Sequence, residues 1–172
     1  ADVAIPVHVV HASTSTDAPT ASYPRVVVIA EPGSRATLVE SFIDTSEEGA
    51  RHLLNAVAEV SVGPDARVEH VRITEGTERT LQLAYLGVAL SRDAFYGSRI
   101  AALGGALTRL DLSLRFDGLG SEAELDGAYH VDDGEHVDHQ LRVDHAAGRC
   151  TSHVSYRGLL DVDLEICTGC LA

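Results

Sequence analysis

Histidine, aspartate and cysteine gather late in this 172-residue chain, in His136-Val-Asp-His-Gln-Leu-Arg-Val-Asp-His145 and the nearby Cys150. On an extended strand successive side chains face opposite ways. Val137, His139, Leu141, Val143 and His145 therefore share one face, and His136, Asp138, Gln140, Arg142 and Asp144 the other. Imidazole and thiolate suit iron or zinc, which makes His139, His145 and Cys150 the candidate metal ligands. The competing reading puts the two histidines in a core, their ring nitrogens bonded to backbone carbonyls or carboxylates. On the opposite face, His136 and Asp138 are either a base with its orienting acid or two solvated positions. Cys167-Thr-Gly-Cys170 has redox or zinc-site spacing. A redox pair of this kind opens a helix in a βαβ unit and a structural zinc takes four ligands, whereas only Leu171 and Ala172 follow here. Glu40, Glu69, Asp111 and Asp126 are expected on solvated strand positions.

The elements that must carry these residues read as short strands. Leu110, Leu112, Leu114 and Phe116 alternate with Arg109, Asp111, Ser113 and Arg115, a strand with one buried face. Arg25 to Ala30 is a β-branched run stopped by Glu31-Pro32-Gly33, and Ala36 to Phe42 forms the next strand. A strand is also expected at Val7 to Val10, a loop from Ser13 to Ser22, and strands from Ala56 to Val62 and around Leu81, Leu83 and Tyr85. Ala50, Leu53, Leu54 and Val57 also fit helical spacing, and Ser91 to Gly104 looks irregular. The phrase Gly33-Ser-Arg-Ala-Thr-Leu recurs as Gly63-Pro-Asp-Ala-Arg-Val and Gly120-Ser-Glu-Ala-Glu-Leu, with a looser copy at Gly105. Glycine at a tight corner, a small residue, then a strand is the chemistry of stacked coils, here in units of about 15 residues. The fold class is all-β, a β-solenoid.

Composition narrows the function. A net charge of -13 disfavours nucleic acid and anionic membranes as partners. No stretch approaches the ~20 apolar residues of a membrane span, and the start lacks a signal-peptide pattern, so a cytoplasmic address is expected. Three late cysteines do not make a disulfide framework and are expected to be reduced. All 13 basic residues are arginine, which removes the lysine of a P-loop, a Schiff base or a kinase site and assigns any ATP hydrolysis to a partner. Methionine is absent, including at position 1, so the chain is expected to be either processed or a piece of a longer protein.

Tyr23-Pro-Arg-Val-Val-Val-Ile-Ala-Glu-Pro-Gly-Ser-Arg-Ala-Thr-Leu-Val-Glu40, Asn55-Ala-Val-Ala-Glu-Val60, Leu103-Gly-Gly-Ala106, His136 to Ala147 with Cys150-Thr-Ser152, and Tyr156-Arg-Gly-Leu-Leu-Asp161 together resemble the SufB/SufD family, in the wording of its SufD branch. The resemblance implies a truncated right-handed parallel β-helix over residues 1–161, with 162–172 a divergent tail foreign to the family. It implies a non-enzymatic scaffold in iron–sulfur cluster assembly, paired with a SufB paralogue and served by the SufC ATPase through a region missing here. The cluster is then handled by the whole complex. No catalytic or cofactor-binding residue carries over, because the family's implicated positions lie beyond Asp161. A SufB-type paralogue is the alternative. A β-helix carbohydrate-active enzyme, for which aromatics are few, and a stand-alone metal-binding protein using His139, His145 and Cys150 are the rivals from other classes.

Overall fold

The computed structural model describes residues 2–3, 5–14, 18–44 and 51–161. The expectations for the 162–172 tail, with Cys167 and Cys170, lie outside the described residues. Twelve strands follow one another: β1 (Val7–Ser13), β2 (Thr20–Ser22), β3 (Arg25–Ala30), β4 (Arg35–Asp44), β5 (His52–Val62), β6 (Arg67–Glu75), β7 (Thr80–Leu90), β8 (Phe95–Leu103), β9 (Leu107–Phe116), β10 (Glu122–Val131), β11 (Val137–Asp144) and β12 (Thr151–Leu160). They alternate between two parallel sheets. One runs β1-β4-β6-β8-β10-β12, and the other runs β11-β9-β7-β5, where β5 takes both β2 and β3 at its free edge. The result is a β-solenoid of about five turns, without a helix among the described residues.

The ladder fixes the repeat. Arg35 pairs with Arg67, Arg67 with Phe95, Phe95 with Glu122 and Glu122 with Thr151, so a coil takes between 27 and 32 residues. The expected unit of about 15 is therefore a half-coil at best, and the four glycine phrases are not equivalent. Gly33 and Gly120 do occupy one corner, in a column with Asp65, Asp93 and Arg149, and all five have positive φ between 53° and 75°. Backbone amides climb this column, from Gly33 N to Pro64 O (2.8 Å), Asp65 N to Arg92 O (3.0 Å) and Asp93 N to Leu119 O (2.9 Å). Ser34, Ala66, Ala94, Ser121 and Cys150 come next, small enough to fill the corner. Gly63 sits two residues earlier and Gly105 at the other corner, ahead of β9. Gly118 has another role, because a Cβ there would overlap the backbone nitrogen of Arg92.

Three local expectations change. The Ser13–Ser22 loop contains β2, and the helical alternative around Leu53 is a strand from His52 onward. The irregular Ser91–Gly104 stretch contains β8, whose Phe95, Tyr96, Gly97 and Ser98 are all buried and so break the alternation that reveals a strand. Its outer side is covered by Arg67, stacked 3.4 Å over the Phe95 ring, and by Glu69 above Gly97.

The interior has two halves. One is aliphatic, with columns such as Ala58-Leu86-Leu112 and Val60-Val88-Leu114 climbing from coil to coil. Burying each leucine contributes roughly 1.5–3 kcal/mol. The other half is polar, and there Glu40, His52, His70, Arg72, Thr74, Thr80, Gln82, Ser98 and Thr108 are all buried.

Candidate functional site

The polar half is organised by the inward face of the first sheet. Glu40 of β4 pairs in register with Arg72 of β6, and His70 lies one inward step to the side. Tyr96 of β8 continues the diagonal, and His11 of β1 begins it. A parallel ladder stacks equivalent positions about 4.8 Å apart, close enough for these side chains to bond across coils. His11 Nε2 donates to Glu40 Oε1 at 3.2 Å, His70 Nε2 to Glu40 Oε2 at 2.8 Å, and Arg72 Nη1 to the same oxygen at 3.2 Å. The Tyr96 hydroxyl lies 2.9 Å from His70 Nδ1. Phe42 closes the base of the cluster, its ring stacked on His11 at 4.4 Å and beneath the Arg72 guanidinium at 4.7 Å.

The protonation pattern follows from the geometry. Burial would raise the Glu40 carboxyl, but hydrogen bonds from His11 and His70 and the charge of Arg72 outweigh it and hold Glu40 well below the usual range. An ionised carboxylate only accepts, so His70 Nε2 carries the proton and its Nδ1 accepts from Tyr96. Burial pulls His70 down, so its ring is neutral, and burial pushes the Tyr96 hydroxyl up. Burial also lowers Arg72, which Glu40 opposes. Both nitrogens of His70 are engaged and the ring is fully buried. The arrangement is a closed ion pair with two histidine partners, and it offers no free base to a substrate.

The residues singled out in the sequence do not converge. His139 points inward from β11 and stands edge-on to Tyr129 (6.0 Å between centroids) and Tyr156 (5.7 Å). Burial lowers its pKa to about 4, and its Nδ1 is buried without a hydrogen-bond partner. His145 lies six residues on, roughly 20 Å along a strand, packed on Phe116 at 4.6 Å and bonded to Ser152 Oγ at 3.0 Å. The Cys150 thiol donates to Gly118 O at 3.3 Å and Gly148 O at 3.4 Å. Among the described residues no three His, Cys, Asp or Glu side chains are arranged to hold a metal ion. Asp138 faces Arg109 at 3.0 Å rather than orienting His136, which is exposed.

Of the four acids expected on solvated positions, Asp111, Asp126 and Glu69 are partly exposed and paired with Arg109, Arg99 and Arg67. Glu40 is the correction, since its side chain is 1% exposed. Sequence reasoning passed over the cluster because β6 is ambiguous. Val68, His70, Arg72 and Thr74 alternate with Glu69, Val71, Ile73 and Glu75, and neither set is visibly the apolar one. The available signal was register, which puts the Glu40 acid beside the Arg72 base in the next coil.

Comparisons with known proteins agree with this architecture. Residues 11–163 match the family model described as SUF system FeS cluster assembly, SufBD core domain. An iron–sulfur cluster assembly SufBD family protein of Mycobacterium tuberculosis is 37% identical over 105 residues, covering 61% of this chain and 26% of the relative. Its counterpart in Mycobacterium leprae is 38% identical over 98 residues, 57% of this chain and 25% of the relative. The iron–sulfur cluster assembly protein SufD of Escherichia coli is 24% identical over 153 residues, 89% of this chain and 36% of that protein. The chain thus spans about a quarter of the length of the mycobacterial relatives it matches. With its parallel coils and a family match over most of its length, the chain belongs to the SufBD core family of the SUF iron–sulfur cluster assembly system.

Proposed function

We propose that this chain is the core of a SufD-like, non-enzymatic scaffold subunit in cytoplasmic iron–sulfur cluster assembly. The SufBD core match over residues 11–163 carries the reading. The extended similarity to the Escherichia coli protein named SufD favours the SufD branch over a SufB-type paralogue. The chemistry of the coil supports a scaffold. Its strongest potential acid–base group, His70, has both ring nitrogens engaged and is buried, and Glu40 accepts three hydrogen bonds. Such groups hold coils together rather than turn over a substrate.

The expected partners are a SufB-type paralogue, as a heterodimer, and the SufC ATPase, docked through a region outside this chain. A chain whose basic residues are all arginine needs such a partner to supply a phosphate-binding lysine. The cluster belongs to the whole complex, and among the described residues no three His, Cys, Asp or Glu side chains gather to hold a metal ion. Coexpression of the full-length protein with the SufB-type paralogue and the ATPase from the same genome tests the reading. Copurification of the three in fixed stoichiometry is expected. Recovery of the protein without either partner, under conditions where the paralogue and ATPase still associate, would overturn it.

A further inference from the structure

Of the five tyrosines, Tyr96 alone is fully enclosed, and its hydroxyl meets a base. The phenol oxygen lies 2.9 Å from His70 Nδ1. His70 Nε2 donates to the Glu40 carboxylate at 2.8 Å, which leaves Nδ1 as the acceptor of the neutral ring. The phenol therefore donates to an imidazole that has no proton on that nitrogen. Ser98, next on the same inward face of β8, is a second hydrogen-bond partner of the phenol.

This pair does more than tie two coils together, because it removes the main obstacle to oxidising a buried tyrosine. An electron can leave through packed protein, whereas a proton needs a bonded acceptor. Removing one electron from a phenol makes it a strong acid, and without an acceptor the core would hold an uncompensated cation. Here the acceptor is in place. The imidazolium formed by the transfer keeps its other nitrogen on Glu40, whose carboxylate also receives Arg72 Nη1 at 3.2 Å and His11 Nε2 at 3.2 Å. Burial and the charge of Arg72 oppose a proton on His70, and the hydrogen bond and charge of Glu40 favour it. The proton therefore stays next to the phenol and returns to it once the electron is restored.

We infer that Tyr96 and His70 form a redox-active pair, a proton-coupled donor of one electron to an outer-sphere one-electron oxidant of high potential. In the forward step the Tyr96 O–H bond breaks, one electron passes to the oxidant, which is reduced by one, and the proton bonds to His70 Nδ1. The products are a neutral phenoxyl radical and an imidazolium hydrogen-bonded to it. Return of one electron reverses each change. The enclosure that makes the proton hard to lose also shields the radical from coupling with a second molecule. A radical at Tyr23 or Tyr85, 67% and 43% exposed, has no such shield.

Photo-oxidation of the full chain tests the pair. Illumination with tris(bipyridyl)ruthenium(II) and persulfate generates the one-electron oxidant, and freeze-quenched samples are read by high-field electron paramagnetic resonance. A persistent tyrosyl signal is expected in the parent, formed more slowly in heavy water. It is expected to survive in the Tyr23→Phe/Tyr85→Phe/Tyr129→Phe/Tyr156→Phe variant, which keeps only Tyr96, and to be lost from that variant on adding His70→Leu. It is also expected to be lost in Tyr96→Phe. A folded parent without a persistent tyrosyl signal overturns the inference whatever the variants do. So does an unchanged yield in Tyr96→Phe, or an equal rate of formation in heavy and ordinary water.

Discussion

Replacing Glu40 by alanine removes the one carboxylate that His11, His70 and Arg72 share, and it leaves the Arg72 guanidinium enclosed without its counter-charge. Breaking a buried ion pair from one side costs roughly 3–5 kcal/mol. Stranding the His70 donor adds about 1 kcal/mol. The sum is a large part of the ~5–15 kcal/mol that holds a typical domain together. For a chain of this length it corresponds to a fall in Tm of roughly 8–24 °C. Thermal and urea unfolding of the full chain, followed by circular dichroism, measures it. The diagnostic comparison is a cycle with Arg72→Met and the Glu40→Met/Arg72→Met pair. Removing both charges avoids the stranded cation, so the pair is expected to cost less than Glu40→Met alone, with a coupling of at least about 1 kcal/mol. Strict additivity, or a Glu40→Ala cost below about 1 kcal/mol, would refute the claim that this ion pair organises the polar half.

Further outcomes follow from individual positions. His139 is held at about 4 in the fold, below its ordinary 6.5, so the unfolded chain takes up that proton first and stability falls as pH drops from 6.5 to 4. The full effect is at most about 3 kcal/mol, and a His139→Phe variant is expected to flatten that part of a pH–stability profile. Glu40 is depressed instead, so its contribution is complete above about 4.5 and is lost on further acidification toward its folded value; denaturation midpoints of Glu40→Gln and parent should converge at low pH. Gly118→Ala forces a Cβ into the Arg92 backbone, which cannot rotate away, and a loss of at least about 3 kcal/mol or failure to fold is expected in expression and melting assays. Arg149→Gly relieves a φ of 59° at an exposed corner residue, and a gain of about 0.5–1 kcal/mol is expected in urea unfolding.

The solenoid was legible where each strand shows water one face only. β9 alternates Leu110, Leu112, Leu114 and Phe116 with polar residues because its outer side is solvated, and β3 and β4 are bracketed by Pro32 and Gly33. β8 was not legible, because Arg67 and Glu69 cover its outer face and leave no alternation to read. The coil length was obscured because Asp65, Asp93 and Arg149 adopt the left-handed corner that only Gly33 and Gly120 advertise. Family membership was legible from phrases in order along the chain. The buried ion pair was not, because Glu40 and Arg72 are distant in sequence and meet only through coil register. His139 faces inward, as alternation requires, and is packed between tyrosines, with no carbonyl or carboxylate bonded to its buried Nδ1 as the core reading expected.

Anaerobic reconstitution tests the central claim most directly. The full-length protein is combined with its SufB-type paralogue, the ATPase, a sulfur donor and iron, and cluster formation is followed by visible absorption and by transfer to an apo-acceptor protein. The scaffold account predicts that leaving this protein out abolishes cluster formation and that adding it back restores it in stoichiometric rather than catalytic proportion. Undiminished cluster formation and transfer in its absence would contradict the account.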